Sequence, residues 1–150
     1  MNTQSLLAEI DARELTYEAP PLFAWEMGIA STDEEIANLM YRGGRFPPQM
    51  STRRSPPEDS RPEKTYWDHV KTEMRLFLCT DDKKYKGLWK QIDNMQKKST
   101  TAIVGVIAAF LGSSLGAPAT ILAGFVAVCL YAALRVGKEA YCGYSSPNEA

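Results

Sequence analysis

The sequence predicts a mainly α-helical protein with a helical base, a C-terminal hydrophobic helical hairpin and a Pro/Arg-rich, largely irregular linker. Three observations support this fold class. Apolar residues before residue 99 recur at steps of three and four, which is the spacing of one helix face. Residues 99–134 contain no charged residue and no histidine, and Gly, Ser and Pro interrupt them near the middle. Residues 43–62 contain five prolines and two glycines, a composition that excludes a regular helix or strand.

Residues 1–42 are expected to form an N-terminal helical and docking segment that is loosely tethered to the rest of the chain. Residues 3–15 fit one short helix with a single apolar stripe. A capping box within residues 31–35 predicts the start of a second helix, since a hydroxyl residue precedes a glutamate by three positions. Four large apolar side chains are interpreted as partner-docking residues: Leu22, Phe23, Trp25 and Trp67. The alternative is that they pack on the chain's own helices.

Residues 63–98 follow the linker at 43–62 and are predicted to form two amphipathic helices. The first helix, over 63–79, has one apolar face made of five residues: Trp67, Val70, Met74, Phe77 and Leu78. The second is expected to begin after an N-cap at Thr80. No stop signal precedes Ser99, which leaves open a continuous helix into the apolar tract.

Residues 99–135 are predicted to be a hydrophobic hairpin, followed by a C-terminal tail at 136–150. The uncharged run exceeds the ~20 residues that cross a bilayer as one helix. The break over 112–118 divides it into arms at 99–112 and 118–135, because Pro118 suits the first turn of a new helix. Small residues let helices approach closely, and five positions are assigned to hairpin packing: Gly105, Gly112, Gly116, Pro118 and Gly124.

Basic residues flank the hairpin on both sides: Lys97 and Lys98 before it, Arg135 and Lys138 after it. The positive-inside rule favours keeping both flanks on the cytoplasmic side, which a hairpin satisfies. The arms reach roughly 21 and 27 Å against a hydrocarbon core of about 30 Å, so permanent and on-demand insertion both stay open. The alternative is a hairpin buried in a soluble helical assembly.

The composition excludes several classes of function. The chain has a net charge of −1, and an acidic head (−5 over 1–60) precedes a basic middle (+4 over 61–98), so no nucleic-acid partner is expected. The three cysteines have no CxxC spacing and His69 is the one histidine, so no metal site, cofactor or catalytic residue is predicted and the chain is not expected to be an enzyme. The first 15 residues lack the apolar core of a secretion signal, which predicts the bacterial inner membrane or cytoplasm and reduced thiols.

The last 80 or so residues carry a resemblance in three pieces: YWDHVKTEMRLFLCTDDKKYKGLWKQI, the Gly/Ala-rich hairpin and the terminal VGKEAYC. In these pieces the chain resembles small bacterial proteins of uncharacterised activity. In general plan it is also similar to two-helix membrane effectors of anti-phage defence systems, although it lacks their long helix after the hairpin. The resemblance implies a membrane-active role and assigns no functional residue.

Two functional hypotheses follow from the sequence. The first is a small membrane-active effector or toxin-like subunit that inserts or oligomerises through its hairpin. The second is a non-catalytic soluble adaptor in a larger complex, with the hairpin buried against a protein partner or further copies of the chain. The expected partners are therefore a membrane or a protein, in a homo-oligomer or a hetero-complex.

Overall fold

The computed structural model describes residues 2–41 and 64–149, with side chains over 2–40 and 64–143. The described residues are mainly α-helical and contain no strand. The helices are α1 (Thr3–Glu9), α2 (Ala12–Glu18), α3 (Phe23–Glu26), α4 (Asp33–Tyr41), α5 (Lys64–Cys79), α6 (Lys86–Asp93), α7 (Thr100–Leu115), α8 (Ala119–Val136) and α9 (Lys138–Glu149). Short 3₁₀ turns at Pro20–Leu22 and Lys83–Tyr85 lead into α3 and α6. The predicted linker at 43–62 lies outside the described residues.

The N-terminal residues form two helices where one was predicted over 3–15. Ile10 is extended, and Asp11 caps α2 by accepting a hydrogen bond from the Arg13 amide at 2.9 Å. The Asp11 amide in turn donates to the Thr100 hydroxyl at 2.8 Å. This bond fixes the break beside the start of α7, a long-range contact that the helical spacing of 3–15 does not reveal.

The N-terminal segment is part of the core, so the expectation of loose tethering was wrong. Helix α2 packs against both α7 and α8, and α4 packs against α5 and α8. Leu6, Leu15 and Ile36 are fully buried in the same cluster as the C-terminal helices. Segments that looked separable by composition therefore share one hydrophobic core.

Helix α4 begins with the predicted capping box. The Glu35 amide donates to the Thr32 hydroxyl at 3.2 Å, and the Glu35 carboxylate accepts from the Ser31 amide at 2.8 Å. Two N–H groups at the start of the helix are thereby satisfied.

Helix α5 confirms the apolar face predicted for 63–79. All five predicted residues are buried, and α5 packs along α8. The spacing succeeded here because an amphipathic helix on the surface of a bundle must point its apolar stripe at the core.

Helix α6 is shorter than predicted. Asp82 caps the preceding 3₁₀ turn by accepting from the Lys84 amide, and Thr80 only supports the Asp82 amide. The helix ends at Asp93, where the Lys98 ammonium donates to the carbonyls of Asp93 and Met95. A basic residue near the end of a helix satisfies exposed carbonyls in this way.

The junction of α5 and α6 is held by a carboxylate. Glu73 accepts hydrogen bonds from the Tyr85 hydroxyl and from the Lys84 ammonium, the latter at 2.8 Å. Burial opposes ionisation of Glu73, but these two donors outweigh it and lower its pKa. Tyr85 also stacks at 5.5 Å against both Phe77 and Phe110, so this polar contact sits at the edge of an aromatic cluster.

Candidate functional site: the apolar hairpin

The predicted hairpin is formed by α7 and α8, which pack along each other. Ser99 caps α7, with its hydroxyl accepting from the Ala102 amide at 3.2 Å. The first arm runs over 100–115, which is longer than the predicted 99–112. The second runs over 119–136, one position later than the predicted 118–135. The extra turn of α7 exists because its C-terminus is closed by Gly116 rather than Gly112.

The turn between the arms uses three of the five predicted packing residues. Gly116 is left-handed at φ 75°, the conformation that ends α7 without a side-chain penalty. A Cβ on Gly112 would lie 2.4 Å from the Ala117 carbonyl oxygen, so only glycine fits there. Pro118 is the residue that precedes α8, one position before its predicted place in the first turn.

The other two predicted packing glycines do not meet across the hairpin. A Cβ on Gly124 would lie 2.7 Å from the Met40 side chain, so Gly124 admits α4 and the end of α2 rather than α7. Gly105 is exposed, and a Cβ there would meet nothing within 4 Å. The absence of a side chain at Gly124 thus lets the N-terminal segment pack closely on α8, while Gly105 lies on the exposed face of α7.

Helix α8 is the central helix of the bundle. It contacts α1, α2, α4, α5, α7 and α9, and every residue from Phe125 to Ala133 is buried. Within the described part of the chain it is the one helix long and apolar enough to cross a membrane, a criterion that a buried core helix also meets. Enclosure explains the absence of charge from Phe125 to Ala133, and the charged residue of α8, Arg135, lies in its exposed last turn.

Helix α7 differs because one of its faces is exposed. Four small residues at steps of four make up this outer face: Thr101, Gly105, Ala109 and Ser113. The helix has no charged residue over its 16 positions. By contrast, the exposed positions of α5 and α6 include Lys64, Lys86 and Lys90. A helix that is apolar all round is normally covered on every side, whereas the outer face of α7 is exposed in the part of the chain that the structure describes.

The four basic flanking residues have different surroundings. Lys97 is exposed, whereas Lys98 is engaged by the α6 carbonyls described above. The Arg135 guanidinium lies 5.9 Å from the centre of the Tyr131 ring. Lys138 is half-buried at the start of α9. All four lie at the end of the hairpin opposite its turn: Lys97 and Lys98 precede α7, Arg135 is in the last turn of α8, and Lys138 begins α9.

Three of the four predicted docking residues are not available to a partner in this fold. Leu22 and Trp67 are fully buried, and Trp25 is 8% exposed. Trp25 stacks on Tyr131 at 5.2 Å and Trp67 on Phe125 at 5.5 Å, so both anchor their helices on α8. Phe23 is the exception, at 47% exposed. The alternative reading, that these residues pack on the chain's own helices, describes the other three.

A disulfide joins Cys79, the last residue of α5, to Cys142 in α9. Reduced thiols were expected, so this is a correction. The two cysteines are 63 positions apart in sequence, yet their Cα atoms are 5.6 Å apart because α5 and α9 pack together beside α8. Sequence spacing could not reveal this pair. The third cysteine, Cys129, is free and buried in α8.

Among the described residues, no group of three or more His, Cys, Asp or Glu side chains is placed to hold a metal ion. The lone histidine, His69, is exposed on α5. The chain matches no protein-family model, no curated protein and no solved structure. The candidate site is the exposed, uncharged outer face of α7.

Proposed function

We propose that the chain is a membrane-active effector that stores its apolar hairpin in a water-compatible helical bundle and inserts it when the covering helices separate. The observation that carries this proposal is the uncharged outer face of α7, residues Thr101, Gly105, Ala109 and Ser113. A surface helix that only had to stay soluble would gain from charges on that face. A helix that enters lipid has to be free of them.

The ends of the hairpin support the same direction of insertion. The turn at 112–118 has no charge, so no charged group has to cross the bilayer when the turn leads. Both flanks are basic and suit the anionic surface of a membrane. The Cys79–Cys142 bond also ties α9, which follows the hairpin, to α5 in the helical base that precedes it, so both ends of the hairpin stay on one side.

The lengths of α7 and α8 allow insertion with a thinned bilayer. Their 16 and 18 residues correspond to roughly 24 and 27 Å, compared with about 30 Å of hydrocarbon. A shortfall of this size is met by local thinning at a modest cost per Å. Insertion also requires α1, α2, α4, α5 and α9 to leave α8, so the folded bundle is the resting state.

The test is leakage of a trapped dye from vesicles that contain anionic lipid, comparing the natural chain with A109K. Ala109 is exposed in the bundle, so the lysine leaves the folded state intact. At the middle of an inserted helix, a lysine costs about 2.5–3.5 kcal/mol, which lowers the insertion equilibrium about 100-fold. The matched control is A8K on α1, where Ala8 is also exposed and lies outside the hairpin.

We expect leakage from the natural chain and from A8K, and its loss in A109K while the circular dichroism spectrum and melting temperature are unchanged. Vesicles that contain anionic lipid and stay intact in the presence of the natural chain would count against the proposal. Equal leakage from A109K would show that α7 does not enter the bilayer.

A second candidate is a soluble adaptor whose α7 is covered by another protein chain. The observation that favours it is the four-residue repeat of small side chains on α7, which suits close approach of a second helix. This candidate predicts an oligomer or hetero-complex without lipid, which A109K would dissociate. Sedimentation of the natural chain and of A109K without vesicles measures their assembly states and so distinguishes the two functions. The role in anti-phage defence that the resemblance implies stays a prediction.

A further inference from the structure

A cavity of about 350 Å³ lies where the first turn of α4 meets α5, α8 and α9. It is distinct from the outer face of α7 and is not used in the proposed function. Small-molecule sites have volumes of about 300–1,000 Å³, so this cavity lies at the lower end of that range and suits a small ligand. Val136, one of the lining residues, is 49% exposed.

One part of the cavity wall carries charges of both signs. Lys71 and Arg75 are four residues apart on α5 and therefore lie on one helix face. Asp33 and Glu34 come from the first turn of α4, and the Lys71 ammonium contacts the Glu34 carboxylate. A ligand of a single charge sign would meet repulsion from one of these pairs. A ligand that carries both signs would be attracted by each.

The rest of the lining combines apolar residues with three polar ones: Ser31, Thr32 and Tyr141. Ala132, Val136 and Ala140, from α8 and α9, are aliphatic and short, which is why space is left between the helices. Trp25 adds an aromatic surface. The aliphatic part of the lining suits a compact aliphatic group on the ligand.

We propose that this cavity binds a small zwitterion with an aliphatic side chain, such as an apolar α-amino acid. The carboxylate of the ligand faces Lys71 and Arg75, its ammonium faces Asp33 and Glu34, and its side chain lies on the aliphatic lining. Recognition by paired opposite charges is how a largely apolar pocket fixes the orientation of such a ligand.

The electrostatics of α4 favour the ammonium end of this arrangement. Burial, followed by the neighbouring Glu34 carboxylate, raises the pKa of Asp33. A cation placed beside Asp33 offsets both effects, because it favours the ionised form of the carboxyl group. The bound ligand would also bridge α4 and α9, two of the helices that cover α8.

The test uses L-leucine as the probe with the full chain, measured by thermal melting and by ligand-observed NMR. Two analogues each lack one charge: 4-methylpentanoate lacks the ammonium and 3-methylbutylamine lacks the carboxylate. We expect L-leucine to raise the melting temperature in a saturable way. Each analogue should bind about tenfold more weakly or worse, since a lost charged contact leaves its partners unpaired.

Two variants locate the binding. A140L fills the cavity from an exposed position on α9 and should abolish the effect of L-leucine, whereas A8L on α1 is the matched control and should retain it. The proposal is overturned if L-leucine does not bind, if either analogue binds as well as L-leucine, or if A140L binds it as well as A8L does.

Discussion

Reduction of the disulfide between Cys79 and Cys142 is expected to destabilise the protein by about 4 kcal/mol. The bond closes a loop of 63 residues, and the loop-closure entropy model gives this figure at room temperature. It is a large share of the roughly 5–15 kcal/mol that stabilises a typical domain. With a urea dependence of about 2 kcal/mol per molar, the midpoint of unfolding should fall by about 2 M.

The assay is urea unfolding followed by tryptophan fluorescence, in oxidising and reducing buffer. The double variant C79S/C142S should match the reduced protein and should not respond to reductant. Thiol titration of the unfolded, unreduced chain should find one free thiol, that of Cys129. Three free thiols would refute the pairing itself. A bonded protein whose midpoint did not change on reduction would refute the loop-entropy argument.

Three further perturbations test the fold around the hairpin. G112A should destabilise the protein by about 1–3 kcal/mol because its Cβ would clash with a backbone carbonyl, whereas G105A, on the open face of α7, should stabilise it by about 0.5–1 kcal/mol; urea midpoints compare the two. F125A should cost about 3–5 kcal/mol in the same assay, since Phe125 is fully buried against α5. Because folding lowers the pKa of Glu73, its contribution to the free energy of unfolding is complete above its ordinary pKa of 4.5 and is lost as the pH falls through the lower native value. Unfolding measured from pH 6 downwards should show this loss in the natural chain and not in E73Q.

The helices that the sequence predicted well are those whose shape depends on their own residues. Helix α5 shows its predicted face because five apolar residues at helical spacing define one stripe. The turn of the hairpin was found because glycine and proline act locally on the backbone. The end of α6 was missed because it depends on the reach of the Lys98 side chain to carbonyls several residues earlier.

Contacts between distant segments could not be predicted in the same way. Trp25 reads as a docking residue in isolation, and only the position of Tyr131 shows that it packs inside the chain. The pairing of Cys79 with Cys142 likewise depends on two helices meeting beside α8. The presence of an apolar or sulfur-containing side chain indicates that it needs a partner but not whether that partner lies in the same chain.

The uncharged tract at 99–134 therefore has two parts with two different explanations. Helix α8 packs against six other helices and is buried from Phe125 to Ala133, so solubility of the bundle alone accounts for the absence of charge over that stretch. Helix α7 has an exposed face from Thr101 to Ser113, and enclosure cannot account for the lack of charge there. Only this second part is evidence about function. The folded bundle tolerates a lysine at Ala109, because that position is exposed. The substitution A109K should therefore impair a protein that places this face against lipid or another chain, and leave unchanged a protein that keeps this face in water.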